Sequence, residues 1–269
     1  MVYSTKGTLI IIGGAEDKTG DCTILKNVAA LSGGRNGRIV VLTVATEYPK
    51  KVGEEYTELF SSLGVKYIDA VHIETRVDAN CLKNIKRIED ASCVFFTGGD
   101  QLKITSLIGG TETENHLKEA FNNGLVIAGT SAGASVMSET MITSGIDDEA
   151  PKKCTLEMAP GLGLLKGVVI DQHFAQRGRI GRLLSAIAQN PNVLGIGIDE
   201  DTAIIVKPDS TFKVIGSHAV TILDGKNCTH TNTSESSPDG ILALANITLH
   251  ILPKGYHFNL QARVPVIRR

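Results

Sequence analysis

Leu125-Val126-Ile127-Ala128-Gly129-Thr130-Ser131-Ala132-Gly133-Ala134-Ser135-Val136-Met137 is the stretch on which the reading of this chain turns. Four apolar residues, Leu125 to Ala128, suffice for a short buried strand. A turn of small residues follows, then a segment able to start a helix. Gly129, Ser131 and Gly133 fit Gly-x-Ser-x-Gly, the pattern of a serine on a tight strand-to-helix turn. A Cβ at either glycine would collide with the neighbouring strand or helix. Such a turn exposes the Ser131 hydroxyl and aims the N–H of Ala132 at the place where an oxyanion would form. The same five residues also fit an ordinary βα turn with a solvated serine. The strand before and the helix after are the context that distinguishes the elbow.

Upstream, apolar runs alternate with amphipathic segments. Strands are expected at Thr8–Ile12, Arg38–Thr43, Val65–Ile73 and Cys93–Phe96, and helices over 22–31, 50–63, 79–90 and 114–122. This alternation predicts an α/β fold: a mostly parallel sheet with helices on both faces. Ligands of such sheets bind beyond the carboxyl ends of the strands. Three glycine-bearing loops, Gly13-Gly14, Gly98-Gly99 and Gly129–Gly133, fall at that edge.

Downstream, residues 143–163, rich in Gly, Asp and Pro, read as an active-site loop, Val168–Ile170 as a strand, 180–187 as a helix and Val193–Ile198 as a further strand. From 202 onward, Thr202–Val206, Thr211–Ile215 and Ala219–Leu223 alternate with turn signals and read as antiparallel strands extending the sheet. Residues 229–240 are polar and read as an exposed loop. No internal repeat or domain boundary is visible, so residues 1–269 read as a single domain.

Composition narrows the function. Of 269 residues, 42% are hydrophobic, enough for a sizeable core, and the net charge of −2 offers no basic field for nucleic acid. No apolar run approaches the ~18 residues of a membrane span. Met1–Lys6 shows no basic-then-apolar leader. Five cysteines without metal-ligand spacing suggest free thiols, a cytoplasmic location and no metal or other cofactor.

A serine nucleophile needs a base. Of His72, His116, His173, His218, His230, His250 and His257, only His173 follows a predicted strand of the parallel sheet in a charged, glycine-spaced loop. It is the candidate to take the Ser131 proton, against a reading as a loop histidine with a structural hydrogen bond. An orienting carboxylate is expected beside it. Glu149 and Glu200 compete, and sequence leaves the choice open. Gly98 or Gly99 would supply a second oxyanion donor beside Ala132. Asp171, Glu200 and Asp201 with Arg177, Arg179 and Arg182 make the edge charged. Guanidinium forks suit a substrate carboxylate, and carboxylates suit a substrate guanidinium. The alternative is that the arginines pair only with carboxylates of the protein.

Five segments together carry a resemblance: Ile12–Lys18, Thr97–Gln101, Gly129–Ala134, Asp171–Phe174 and Gly197–Thr202. In order and spacing they resemble the cyanophycinases of the dipeptidase E-like serine peptidase family S51. The resemblance implies an exopeptidase that cleaves cyanophycin, a poly-aspartate carrying an arginine on each β-carboxylate, into β-Asp-Arg dipeptides. It implies Ser131 as nucleophile, His173 as base and Glu149 as acid. It places Gln101, Asp171, Gln172, Arg177, Arg182 and Glu200 in the substrate pocket, and it implies a homodimer. An Asp-specific dipeptidase of the same family is the neighbouring alternative. A non-catalytic nucleotide- or sugar-phosphate-binding module is the alternative from another class, but Ile12–Lys18 lacks the Gly-x-Gly-x-x-Gly fingerprint it would need.

Overall fold

The computed structural model describes residues 5–147 and 149–266. Of the Met1–Lys6 stretch read as lacking a leader, Met1–Ser4 therefore lie outside them. The first half follows the expected alternation: β1 (Thr8–Ile12), α1 (Thr23–Leu31), β2 (Arg38–Leu42), α2 (Pro49–Ser62), β3 (Tyr67–Val71), α3 (Leu82–Glu89), β4 (Cys93–Phe96), α4 (Gln101–Ile108), α5 (Glu112–Asn123), β5 (Val126–Thr130) and the single turn α6 (Ala132–Ser135). Strands β1, β5, β4, β2 and β3 pair in that order, all parallel.

The apolar runs are continuous because both faces of these strands are covered. Successive residues of one strand feed opposite cores. Ile39 and Val41 join Ile24, Leu25 and Val28 of α1 and Tyr56 and Phe60 of α2. Val40 and Leu42 join Ile104 and Ile108 of α4 and Leu117 and Phe121 of α5. Helix α4 is not among the expected elements. Its signals are the Asp100 side chain, which accepts the Leu102 N–H at 2.8 Å as an N-cap, and the i, i+4 pair Ile104 and Ile108.

The second half is β6 (Thr140–Gly145), β7 (Leu156–Pro160), β8 (Val168–Gln172), α7 (Ile180–Gln189), β9 (Leu194–Ile198), β10 (Thr202–Val206), β11 (Thr211–Gly216), β12 (Ala219–Asp224), β13 (His230–Thr231), β14 (Leu244–Ala245), β15 (Thr248–Pro253), β16 (His257–Asn259) and β17 (Val264–Val266). Strands β10, β11, β16 and β17 extend the sheet antiparallel beyond β1, giving nine strands.

Two expectations are corrected. Residues 143–163 are not simply a loop: β6 and β7 pair antiparallel as a hairpin, with a register shift between Ile142 and Ser144. The sheet is also not the single one expected. Strands β8 and β9 pair parallel with each other, and β12 and β15 add antiparallel, in a separate four-stranded sheet ordered β15-β12-β9-β8. The free edge of β1 is taken by β10, so β8 and β9 cannot join there. Their Ile170, Ile196 and Ile198 pack into the same core as Ile11, Val40 and Phe96, while Leu183 and Ile187 of α7 cover Val169 on the other face. No helix among the described residues is long and apolar enough to cross a membrane.

Candidate active site

The turn after β5 is as tight as its glycines suggest. A Cβ on Gly129 would stand 2.4 Å from the Gly133 carbonyl oxygen, and one on Gly133 would stand 2.5 Å from that of Phe96. Ser131 itself holds φ 53° and ψ −110°, a strained conformation for a side chain-bearing residue. Its N–H donates to Ile12 O at 3.0 Å, which anchors the turn to the end of β1. Because α6 is only one turn long, local N–H groups rather than a long helix dipole face the serine.

His173 is the first residue after β8, also at positive φ (48°), and its N–H donates to Gly13 O at 2.8 Å. Its Nε2 lies 3.0 Å from Ser131 Oγ. Its Nδ1 lies 2.6 Å from Glu200 Oε1. Glu200 sits on the loop Asp199–Asp201 that carries the chain from β9 to β10, and so from one sheet to the other. Gly14 backs the imidazole closely: a Cβ there would lie 2.4 Å from His173 Cε1. Burial holds the imidazole below the ordinary histidine pKa. The Arg177 and Arg179 charges act the same way, against Glu200, whose hydrogen bond and charge raise it. The ring is therefore neutral at neutral pH. An alcohol, a neutral imidazole and a carboxylate in this order form an arrangement that can move a proton off the alcohol.

Glu149 is elsewhere. It is exposed on the β6–β7 connection, and its carboxylate bonds the Lys152 ammonium. Among the described residues, the carboxylate on His173 Nδ1 is that of Glu200. The hairpin is the physical reason: antiparallel pairing of β6 with β7 turns the chain at 146–155, and the Glu149 carbonyl packs against Gly181 at the start of α7.

The loop after β4 flanks the serine. A Cβ on Gly98 would stand 3.4 Å from Ser131 Cβ, whereas one on Gly99 would strike Ala45 O, on the opposite side. Thr97 N–H donates to Leu42 O and Asp100 N–H to Ala45 O. Among the described residues, the N–H groups of Gly98, Gly99 and Ala132 have no backbone acceptor.

The charged residues are largely paired with one another. Asp171 is 1% exposed, and Arg182 donates to both of its oxygens, Nε to Oδ2 at 2.7 Å. Arg182 Nη1 also donates to Asp147 Oδ1 at 3.2 Å. Arg179 donates to Asp147 Oδ1 at 3.0 Å, and to the Gln172 carbonyl and side-chain oxygens at 2.7 and 3.0 Å. Gln101 Nε2 donates to Ile142 O and Thr143 O, tying α4 to the hairpin. Asp201 accepts the Asp17 N–H and the Ser217 hydroxyl. Arg177 alone of the three arginines is exposed. Asp147 is a part of this site that sequence reasoning passed over. Asp147 lay within a stretch read as a loop. Gly14 was visible as a close-approach loop without its partner.

The fold and this constellation define the class, and comparison with known proteins agrees. The Peptidase family S51 profile matches residues 9–215. The chain belongs to peptidase family S51 and is a serine peptidase. It is 36% identical over 262 residues to a cyanophycinase of Geminocystis herdmanii (strain PCC 6308), covering 97% of this chain and 96% of that protein. It is 37% identical over 269 residues to a cyanophycinase of Trichormus variabilis (strain ATCC 29413 / PCC 7937), covering 99% and 90%. The fold is similar to the crystal structure of a peptidase from an acI-B1 Actinobacterium, with TM-score 0.65, 20% identity and coverage of 83% and 93%.

Proposed function

We propose that this chain hydrolyses cyanophycin to β-Asp-Arg dipeptides, with Ser131 as nucleophile, His173 as general base and Glu200 as the acid that orients it. The carrying observation for the chemistry is the continuous line from Ser131 Oγ to His173 Nε2 at 3.0 Å and from Nδ1 to Glu200 at 2.6 Å. The substrate reading is supported by cyanophycinase relatives that align over nearly the whole chain.

His173 takes the Ser131 proton as Oγ attacks the scissile carbonyl. Negative charge develops on the carbonyl oxygen, where the N–H groups of Ala132 and Gly98 or Gly99 would receive it. The imidazolium, stabilised by Glu200, protonates the departing amine, and the C–N bond breaks to leave an acyl-enzyme. Water then attacks the ester carbonyl, giving a proton to His173; the ester C–O bond breaks, the imidazolium returns that proton to Ser131 Oγ, and the carboxylic acid product leaves. Glu149 has no step in this scheme. Arg177, exposed beside the base, is the cation placed to meet a substrate carboxylate. Asp171, Gln172 and Arg182 shape the pocket wall through their shared network, and Gln101 holds the hairpin against it.

The test is mass spectrometry of products after incubation with purified cyanophycin. Appearance of β-Asp-Arg is the expected result. Free arginine alone, or no product, would overturn the reading. Poly-aspartate at equal residue concentration is the companion substrate. It lacks the guanidinium branch, and slower cleavage of it than of cyanophycin is expected. Equal cleavage of both polymers would show that the arginine branch is not recognised.

A further inference from the structure

Glu16 is a carboxylate with no part in the scheme above, yet it is 5% exposed and lies on the loop after β1. A buried carboxylate needs donors to offset its lost hydration. It has two. Thr130 Oγ1 donates to Oε2 at 2.5 Å, and the Tyr56 hydroxyl donates to Oε1. Lys18 Nζ stands 3.9 Å from Oε1 and lies over the Tyr56 ring. Tyr56 is itself buried, and burial together with the Glu16 charge pushes its pKa well above the ordinary tyrosine value. Its proton therefore stays available to Glu16.

The placement of these partners matters. Thr130 is the residue immediately before Ser131. Ile12 pairs with Thr130 across β1 and β5, and Ile12 O takes the Ser131 N–H. The Glu16–Thr130 bond therefore closes a ring that contains Gly13, Gly14 and Ala15, the last at φ 46°. The backbone of that ring holds the base: Gly13 O accepts the His173 N–H, Gly14 lies against the imidazole, and Gly14 O accepts the Asp201 N–H next to Glu200.

We propose that Glu16 is a positioning residue that, by bonding Thr130 and Tyr56, clamps the Gly13–Gly14 loop and so fixes His173 relative to Ser131. The proposal rests on reading Ser131 and His173 as nucleophile and base. It assigns Glu16 no contact with substrate and no proton transfer. Its effect is on alignment, which governs how often Oγ and Nε2 meet in reactive geometry.

The test uses a fluorophosphonate probe that labels activated serines, so no polymer is needed. The full-length protein is compared with Glu16→Gln, Thr130→Val and Tyr56→Phe, well below each variant's melting temperature. Thr130→Val and Glu16→Gln are expected to label about 10- to 100-fold more slowly, the scale of a misplaced reactive group. On cyanophycin, kcat is expected to fall in parallel, with KM held within about twofold, the signature of lost transition-state alignment. Variants that melt earlier yet label at the unaltered rate would reduce Glu16 to a stabilising group and overturn the proposal. If Glu16→Gln does not fold, the two hydroxyl deletions decide the matter by the same readout. Unaltered protein that fails to label at Ser131 would remove the nucleophile itself, and the positioning role with it. Labelling that is normal in the unaltered protein and unchanged in the variants would remove only the positioning role.

Discussion

The nine-stranded sheet and the four-stranded sheet contribute different halves of the candidate site. Ser131 stands at the end of β5, at the centre of the larger sheet, on a turn fixed by glycines and by the Ile12 carbonyl. His173 stands at the end of β8 in the smaller sheet, and Glu200 on the loop that leaves β9 for β10. The first region is held mainly by the sterics of its own small residues, with the carbonyls of Ile12 and Phe96 as its long-range supports. The second is held by long-range bonds from Gly13, Gly14 and Gln176. The difference shows that rigidity at one reactive atom and alignment between two are separate properties, built from separate parts of the chain. Substitutions in the two regions should therefore fail in different ways.

The largest effect belongs to the larger sheet's contribution. Ser131→Ala should reduce turnover by about 10⁴-fold or more while leaving the circular dichroism spectrum and melting temperature nearly unchanged, since the hydroxyl supplies chemistry rather than packing. Turnover near the unaltered level would show that the two sheets do not share the reaction in this way. Next is the smaller sheet's carboxylate. Glu200→Gln should lower kcat by about 10³-fold by releasing the imidazole tautomer, and Glu149→Gln should stay within about twofold. The opposite ranking in steady-state kinetics would move the acid to the hairpin.

The seam between the sheets is probed by Gly14→Ala. The added methyl meets the His173 ring, and the residue sits at φ 97°, where alanine is strained. An approximately 10²-fold loss of kcat is expected, with the serine turn itself undisturbed. A crystal structure of the variant with His173 unmoved would break the comparison at this point.

The smallest effect is on pH dependence. After burial, the Arg177 charge is a cause that holds His173 below its ordinary pKa of 6.5. Arg177→Gln removes a repelling cation and makes protonation easier, so the acid limb of kcat/KM should move to higher pH. Glu200→Gln removes an attracting anion and should move the limb to lower pH. Limbs that shift together, or in reverse, would exclude His173 as the titrating base.

The same contrast governs what the sequence makes visible. The larger sheet's parallel half is legible because β1, β4 and β5 are apolar runs that lead into glycine-bearing loops, as in Cys93–Phe96 before Gly98-Gly99. Ser131 is legible for the same reason: its turn is specified by residues two places away. The parallel pairing of β8 and β9 is equally local, but their membership of a second sheet is not. That membership depends on β10 occupying the edge of β1, and Val206 opposite Leu9 is a contact no short window contains. Glycines in β9 carry a partial signal. Gly197 lies against the Phe174 ring and Gly195 against Leu183, marking where a loop and a helix approach the strand. Spacing leaves the choice between Glu149 and Glu200 open because Glu149 lies in the loop between Ser131 and His173, while Glu200 follows a strand end at the same edge. Only the hairpin, whose alternation is interrupted at Ile142 and Ser144, separates them. Arg182 reads as a substrate-facing fork, but Arg182 of α7 and Arg179, which precedes that helix, both find Asp147, and their charge is spent inside the protein.

The loop Asp199–Asp201 joins the two sheets late in the chain, and this has a consequence for synthesis. Ser131 precedes His173 by 42 residues, and Glu200 follows His173 by another 27. A ribosome-bound chain that has emerged only as far as the serine holds an alcohol with no base beside it. The base in turn has no fixed tautomer until Glu200 has emerged and β10 has docked beside β1. Alcohol, base and orienting carboxylate are therefore brought together only once the chain has been made as far as β10, and a chain that stops short of that loop lacks the aligned base.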